Sequence, residues 1–131
     1  MEEKISSFLD LNVWKKAHQM NLEIYKLTVN FPQNAPPALA DLLVRSSTAV
    51  TVCIAEGFQK RQRQEKVENY GNAQSKLTEV QYLLLLTNDL GYADTKEVQD
   101  NLTEIQKMLG GLMRSVSGQF KTYKAKEEDE N

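Results

Sequence analysis

The sequence predicts an all-α protein built as an antiparallel up-down four-helix bundle, and three observations lead to this prediction. Four segments of roughly 20–28 residues repeat apolar residues at steps of three and four, which places them on one face of a helix. Short connections join these segments, as in up-down bundles. A chain of 131 residues is also the size of one domain with an ordinary core.

The first predicted helix carries six apolar residues at alternating steps of four and three, a pattern typical of bundles. They are Val13, Ala17, Met20, Ile24, Leu27 and Phe31. Ser7 or Asp10 is expected to cap its start. Pro32 ends it, because proline cannot donate the next helical hydrogen bond.

The second predicted helix begins near Pro36-Pro37 and has a seam that contains small residues. This seam consists of Leu39, Leu43, Ser46, Val50, Cys53 and Gly57. Small side chains let a neighbouring helix approach closely, at the cost of less apolar burial. The β-branched residues between Thr48 and Ile54 would by themselves suit a strand. The three-and-four spacing over about twenty residues favours a helix.

The third and fourth predicted helices meet at Gly91, which is expected to end the third. The third runs from about Arg63 to Leu90, and the fourth begins with a capping box of Asp94 and Glu97. The third seam is Val67, Tyr70, Ala73, Leu77, Val80 and Leu84; the fourth is Val98, Leu102, Ile105, Leu109, Leu112, Val116, Gln119 and Tyr123. We interpret Gly110-Gly111 as a point of close helix packing, with simple weakening of the helix as the alternative.

Residues 8–123 are predicted to form one bundle domain, between a flexible N-terminus of residues 1–7 and a disordered acidic tail of residues 124–131. The tail carries four consecutive acids, Glu127 to Glu130. Without these four acids the net charge of −2 becomes +2, so the remaining chain is slightly basic. This balance argues against a strongly basic nucleic-acid-binding protein.

The compartment follows from the cysteine count and the apolar runs. A single cysteine, Cys53, excludes an internal disulfide or a cysteine-built zinc site and fits a reducing compartment. The longest apolar run, Tyr82–Leu86, is too short to span a membrane, and the first ten residues lack a secretory signal. We expect a soluble, cytoplasmic protein without a membrane partner.

Residues suited to catalysis are scarce. A di-iron site in a bundle needs two Glu-x-x-His pairs, but His18 is the single histidine and Lys15 precedes it by three residues. Cys53 lies in an apolar seam, where a thiol acts as a small hydrophobic side chain. No phosphate-binding loop or nucleophile elbow is present. We therefore predict no catalytic, metal or cofactor residue and no enzymatic activity.

The run Leu83–Leu86 predicts a partner subunit. Successive helical residues turn by about 100°, so four consecutive leucines surround the helix, whereas a monomeric bundle needs one apolar stripe. We expect a homo-oligomer, with coverage by a tilted helix end and loops as the alternative. The candidate subunit interface consists of Trp14, Tyr25, Tyr82, Leu83, Leu85, Leu86 and Leu90.

Two polar groups are also candidate sites. Lys60, Arg61, Arg63 and Lys66 form a basic cluster at the turn between the second and third helices. We interpret the cluster either as a solvated turn or as a rim that contacts nucleic-acid phosphates. The second group, Arg45 and Glu56, lies near the small-residue seam and is expected to form a structural polar network.

Several motifs within residues 8–120 carry a family resemblance. They are Phe8-Leu9-Asp10-Leu11, Val13-Trp14-Lys15-Lys16-Ala17, Ile24-Tyr25, Leu27-Thr28, Phe31-Pro32, Arg45, Ile54-Ala55-Glu56-Gly57-Phe58, Leu77-Thr78-Glu79-Val80-Gln81 and Asp89-Leu90-Gly91-Tyr92. Together they resemble the four helix bundle proteins, or S23 ribosomal protein family. In some bacteria these proteins are encoded by intervening sequences within 23S rRNA genes. Thr51 and Cys53 stand where the family usually has proline and asparagine. Gln62 or Gln64 replaces the usual serine cap of the third helix.

The resemblance implies a closed ring of bundles, commonly a homopentamer, in a bacterial cytoplasm, and no known activity. A related branch, the accessory proteins of diversity-generating retroelements, is strongly basic and binds nucleic acid and a reverse transcriptase. We do not transfer that function, because this chain is mildly acidic. We expect a non-enzymatic homo-oligomeric scaffold or adaptor that binds itself and an unknown protein. The alternatives are RNA or DNA binding through the basic cluster and, less favoured, small-molecule binding in the core or ring pore.

Overall fold

The computed structural model describes residues 5–118, which form four long α-helices and, within that range, no strand. The helices are α1 (Asn12–Val29), α2 (Pro37–Gln59), α3 (Arg63–Asp89) and α4 (Lys96–Val116). A short 3-10 turn, Phe8–Asp10, precedes α1. All four predicted helices are thus confirmed. The tail predicted for residues 124–131, and the extension of the fourth seam to Gln119 and Tyr123, lie outside the described residues.

Both predicted capping residues act together before α1. The Ser7 hydroxyl accepts a hydrogen bond from the Leu9 amide at 3.1 Å, and the Asp10 carboxylate accepts one from the Ser7 amide at 3.2 Å. This reciprocal capping box closes the 3-10 turn. The helix α1 itself begins one turn later, with Leu11 at its N-cap.

The predicted seams form the hydrophobic core. Each helix contributes four to six buried apolar residues at helical spacing, which explains why the pattern predicted the fold. They include Val13, Ala17, Met20 and Ile24 of α1, Leu39, Leu43, Val50 and Ile54 of α2, Tyr70, Ala73, Leu77, Val80 and Leu84 of α3, and Val98, Leu102, Ile105 and Leu109 of α4. Other residues that we assigned to the seams are half-buried and pack against the edge of this core, namely Leu27, Phe31, Cys53, Leu112 and Val116. Val67 is also half-buried.

Glycine brings α2 and α3 close together at one position. A Cβ atom on Gly57 would lie 2.6 Å from Cε1 of the buried Tyr70 ring, a distance that no real contact tolerates. At Gly110 and Gly111 the nearest side-chain atoms, in the Arg114 guanidinium, would lie 3.5 and 3.8 Å away, which is ordinary contact. The interpretation of Gly110-Gly111 as a point of close packing is therefore wrong, and the close approach lies at Gly57.

The connection between α3 and α4 is fixed by hydrogen bonds. Gly91 ends α3 as predicted and has a φ of +74°, a backbone conformation that glycine adopts without strain. The N-cap of α4 is Thr95, one residue later than predicted, although the Asp94 carboxylate still accepts a hydrogen bond from the Lys96 amide at 3.1 Å. The buried Thr95 hydroxyl donates to the Leu84 carbonyl at 2.8 Å, which ties the connection to α3.

Thr95→Val is expected to lower the free energy of unfolding by about 1–2 kcal/mol, because two partners of the buried hydroxyl lose their hydrogen bonds. These partners are the backbone carbonyl of Leu84 and the side-chain amide of Gln99. The matched control is Thr87→Val, since the Thr87 hydroxyl is equally buried but bonds only to Leu83 of its own helix. The control should change stability by less than about 0.5 kcal/mol. Urea titrations measure the free energy of unfolding of both variants. Equal losses of stability would contradict a stabilising role for the hydrogen bond from Thr95 to Leu84.

Candidate functional site

The helix α2 carries few charges. Of its 23 residues only Asp41, Arg45 and Glu56 are charged, and they share its exposed side with apolar side chains. Leu42 and Val52 remain 50% and 45% exposed. By length and composition α2 is apolar enough to cross a membrane. Of its apolar stretch, 39% is buried within the subunit. We call the exposed side chains of Leu42 and Val52 and the half-buried Ala49, with the grooves beside them, the α2 apolar face.

A groove lies on each side of this helix. The groove towards α3 has a volume of about 400 Å³ and is lined mainly by carbon atoms. Its walls are Leu42, Ser46, Thr78, Glu79, Tyr82 and Leu83. The groove towards α1 has a volume of about 480 Å³, and Tyr25 and Val52 contribute to its walls. A tyrosine therefore flanks the α2 apolar face on each side, with Tyr82 60% exposed.

The structure divides the predicted interface residues into two groups. Tyr25, Tyr82, Leu85 and Leu90 are about half-exposed, so they remain available to a partner. Leu83 is only 9% exposed and packs in the core of its own subunit, so it offers a partner only the small part of its side chain that lines the groove towards α3.

Trp14 and Leu86 are half-buried, because both also pack against the subunit's own core. Sequence reasoning missed Leu42 and Val52. The signal that could have found them is the scarcity of charge along α2.

The basic cluster is exposed at three of its four positions. Lys60, Arg61 and Arg63 are exposed at the connection of α2 and α3, and we call them the basic rim. Lys66 differs, because its ammonium group donates a hydrogen bond to the Phe58 carbonyl at 2.6 Å and lies 5.4 Å from the Phe58 ring centroid. Lys66 thus caps the C-terminus of α2, where a positive charge is favoured by the helix dipole.

The end of α4 lies against the basic rim. A Cβ atom on Gly118 would lie 2.9 Å from a guanidinium nitrogen of Arg63. A groove of about 410 Å³ opens between these two segments, and its walls are Arg63, Gln64, Val67, Ser117 and Gly118. The chain therefore leaves the described bundle beside Arg63.

Arg45 and Glu56 are not brought together. Eleven residues separate them on one helix, which corresponds to about 16 Å. The Arg45 guanidinium instead pairs with Asp41 at 3.1 Å, and both side chains are exposed. The proposed polar network is thus replaced by a surface ion pair, which contributes about 0–1 kcal/mol to stability.

The chemistry of the nucleophilic candidates fits a structural role. Burial, and then the negative charge of Glu56, raise the pKa of the Cys53 thiol, while Lys76 acts in the opposite direction. A raised pKa keeps the thiol protonated and a poor nucleophile. His18 is exposed and stacks on Trp14 at a centroid distance of 5.0 Å. Within residues 5–118, no group of three His, Cys, Asp or Glu side chains could hold a metal ion.

A family profile described as "23S rRNA-intervening sequence protein" matches residues 9–111 of the chain. The chain belongs to this family. The resemblance seen in the helix motifs is thereby confirmed. No curated protein matches the chain in sequence.

Among solved structures with a similar fold is a crystal structure from the same protein family. This is the crystal structure of a protein with unknown function from the S23 ribosomal protein family, from Bacteroides thetaiotaomicron VPI-5482. The TM-score is 0.70, and the match covers 78% of this chain and 98% of that chain. The two chains are 24% identical, so the likeness shows the fold alone.

Of the positions that depart from the family pattern, Thr51 and Cys53 lie within α2, and Gln62 lies just before α3. Thr51 is buried, and its hydroxyl donates to the Thr48 carbonyl at 2.7 Å within α2. Cys53 packs half-buried against the core. Gln62 takes the N-cap position of α3, but its side chain makes no capping hydrogen bond. Gln62 therefore does not replace the capping hydrogen bond that a serine would make.

Proposed function

We propose that this protein is a non-enzymatic scaffold whose up-down antiparallel bundles assemble into a homo-oligomeric ring through the α2 apolar face. The observation that carries the proposal is the apolar composition of α2 combined with the exposure of Leu42 and Val52 on its surface. An exposed apolar surface favours an interaction, since leaving it in water is unfavourable. A second copy of the chain is the occupant to which the proposal commits.

Contacts between neighbouring helices support the up-down arrangement. Near the α2–α3 connection, Gly57 of α2 meets Tyr70 of α3, whereas Leu42 and Tyr82, which both lie far from that connection, share one groove. The amide of Asn101, in the first half of α4, donates a hydrogen bond to Glu23, in the second half of α1. Each pair is the one expected when neighbouring helices run in opposite directions.

The two grooves support a ring rather than a simple pair. They differ in their walls, because one contains Tyr82 and Thr78 while the other contains Tyr25 and Arg45. Two different surfaces on opposite sides of one helix permit a head-to-tail contact, and such contacts close into rings when the rotation between subunits allows it. A ring of five copies is the number that the family resemblance implies.

Size-exclusion chromatography with light scattering tests the assembly. We expect a mass near five times the 14.9 kDa of one chain, and a mass of one chain would overturn the proposal. The absorbance ratio at 260 and 280 nm, measured at low salt on tag-free protein, reports bound nucleic acid in the same run.

The basic rim supports a second candidate function, the binding of RNA or DNA phosphates. The observation that supports this function is the exposure of Lys60, Arg61 and Arg63 at the connection of α2 and α3. A ring would repeat this basic rim in every subunit. Contacts to phosphates are electrostatic and weaken as salt rises.

The Arg61→Glu, Arg63→Glu variant should therefore lose salt-sensitive binding of a labelled single-stranded RNA. The matched control, Lys26→Glu with Lys96→Glu, changes the charge equally at two other exposed positions and should keep binding. Binding that survives in the rim variant contradicts this second function.

A further inference from the structure

In the arrangement proposed above, charge is unevenly distributed between the two ends of the bundle. One end, formed by described residues 5–20, 49–75 and 105–118, carries eight basic and four acidic side chains. The other, formed by residues 21–48 and 80–103, carries three basic and six acidic ones. We call the first the basic end. Its positive side chains are Lys15, Lys16, Lys60, Arg61, Arg63, Lys66, Lys107 and Arg114.

The chain continues from this basic end. Gly118, the last described residue, lies beside the Arg63 guanidinium. Nine residues further along the sequence begins the run Glu127-Glu128-Asp129-Glu130. Nine residues span at most about 30 Å, so the run can reach the side chains of the basic end. Helices of about 20 residues are about 30 Å long, so the run could reach the opposite end of the bundle only with its connection fully extended.

We propose that the acidic run Glu127–Glu130 binds the basic end of its own bundle and competes there with other polyanions. Charge complementarity supports this occupant, because the run carries four negative charges and the basic end has an excess of four positive charges. Attachment at Gly118 keeps the run near its target, which raises its effective concentration into the millimolar range for a short connection. The docking itself is independent of any nucleic-acid function; the competition rests on the second function proposed above.

Docking is tested by energy transfer from the single tryptophan. Trp14 lies in the first turn of α1, at the basic end. A dansyl group is attached to the cysteine of an Asn131→Cys, Cys53→Ala variant. We expect strong transfer at low salt and a decrease as salt is raised to about 0.5 M, because the Debye length then falls well below 10 Å.

Two variants separate docking from other causes of salt dependence. Neutralising the run with Glu127→Gln, Glu128→Gln, Asp129→Asn and Glu130→Gln should give weak transfer at every salt concentration. Neutralising the rim with Arg61→Gln and Arg63→Gln should weaken transfer as well. Lys121, Lys124 and Lys126 lie close to the run in sequence, and pairing with them would leave transfer unchanged in the rim variant. Salt-independent transfer, or transfer unaffected by the rim variant, overturns the proposal.

Competition is measured with a fluorescein-labelled single-stranded oligonucleotide. The variant with the neutralised run should bind this probe about tenfold more tightly than the unmodified chain. The matched control, Asp89→Asn, Glu97→Gln, Asp100→Asn and Glu104→Gln, removes four exposed charges away from the basic rim and should change affinity less than twofold. Equal gains in both variants would show a general charge effect and overturn the competition. Salt-dependent transfer without probe binding by any variant would leave docking standing and contradict the nucleic-acid function.

Discussion

Leu42→Glu combined with Val52→Glu is expected to convert the assembly into single chains while the helical content stays unchanged. Both side chains are about half-exposed in the subunit, so the substitutions place charge on its surface and not in its core. In the assembly, by contrast, each would leave a carboxylate against apolar side chains. Because each side chain is already half-buried in the subunit, the burial lost is worth about 2 kcal/mol for the two together, or about thirtyfold in the dissociation constant.

Val29→Glu is the matched control for this experiment. Val29 is an apolar residue that is 82% exposed at the end of α1, outside the α2 apolar face. The same apolar-to-glutamate change should therefore leave the mass of the assembly unaltered. Light scattering gives the masses, and circular dichroism shows whether each variant keeps its helices. Dissociation by Val29→Glu, or an assembly that survives both substitutions on α2, would contradict the assigned surface.

The core of this protein was predictable because its signal is local. Residues three and four positions apart share one side of a helix whatever lies next to it, so spacing alone identified which side chains are buried. Met20, Leu77 and Leu102 are examples, and each is almost completely buried. The ends of the helices followed in the same way from Pro32 and Gly91, which act on the backbone within one turn.

The candidate sites were less predictable because they depend on which residue of another segment lies opposite. Lys66 is one of four neighbouring cations in the sequence, yet it alone of the four turns back to the Phe58 carbonyl, across the connection to α2. Leu83 and Tyr82 are adjacent, but the first is buried in the core and the second is exposed. The exposure of Leu42 and Val52 became visible only in the structure, because only part of the apolar stretch of α2 is buried in the core.

Gly57→Ala is expected to destabilise the protein by about 1–3 kcal/mol, although alanine is the better helix former by about 1 kcal/mol. The reason is steric, because the new methyl group would overlap the ring of Tyr70, which is buried and cannot swing into solvent. Relief would require α2 and α3 to separate, and the core between them would lose contacts. Urea unfolding at equal protein concentration measures the effect.

Gly110→Ala and Gly111→Ala provide the comparison that separates sterics from helix propensity. At both positions the added methyl group meets side-chain atoms only at ordinary contact distances, so propensity decides the sign. Each substitution should therefore stabilise the protein by about 0.5–1 kcal/mol.

Combining Gly57→Ala with Tyr70→Leu should cost less than the sum of the single substitutions, because the smaller side chain removes the overlap. Additive losses would mean that the close approach of α2 and α3 at Gly57 does not set the cost. Opposite signs for the same substitution at Gly57 and Gly110 would show that packing against α3, and not the backbone freedom of glycine, fixes the residue at position 57.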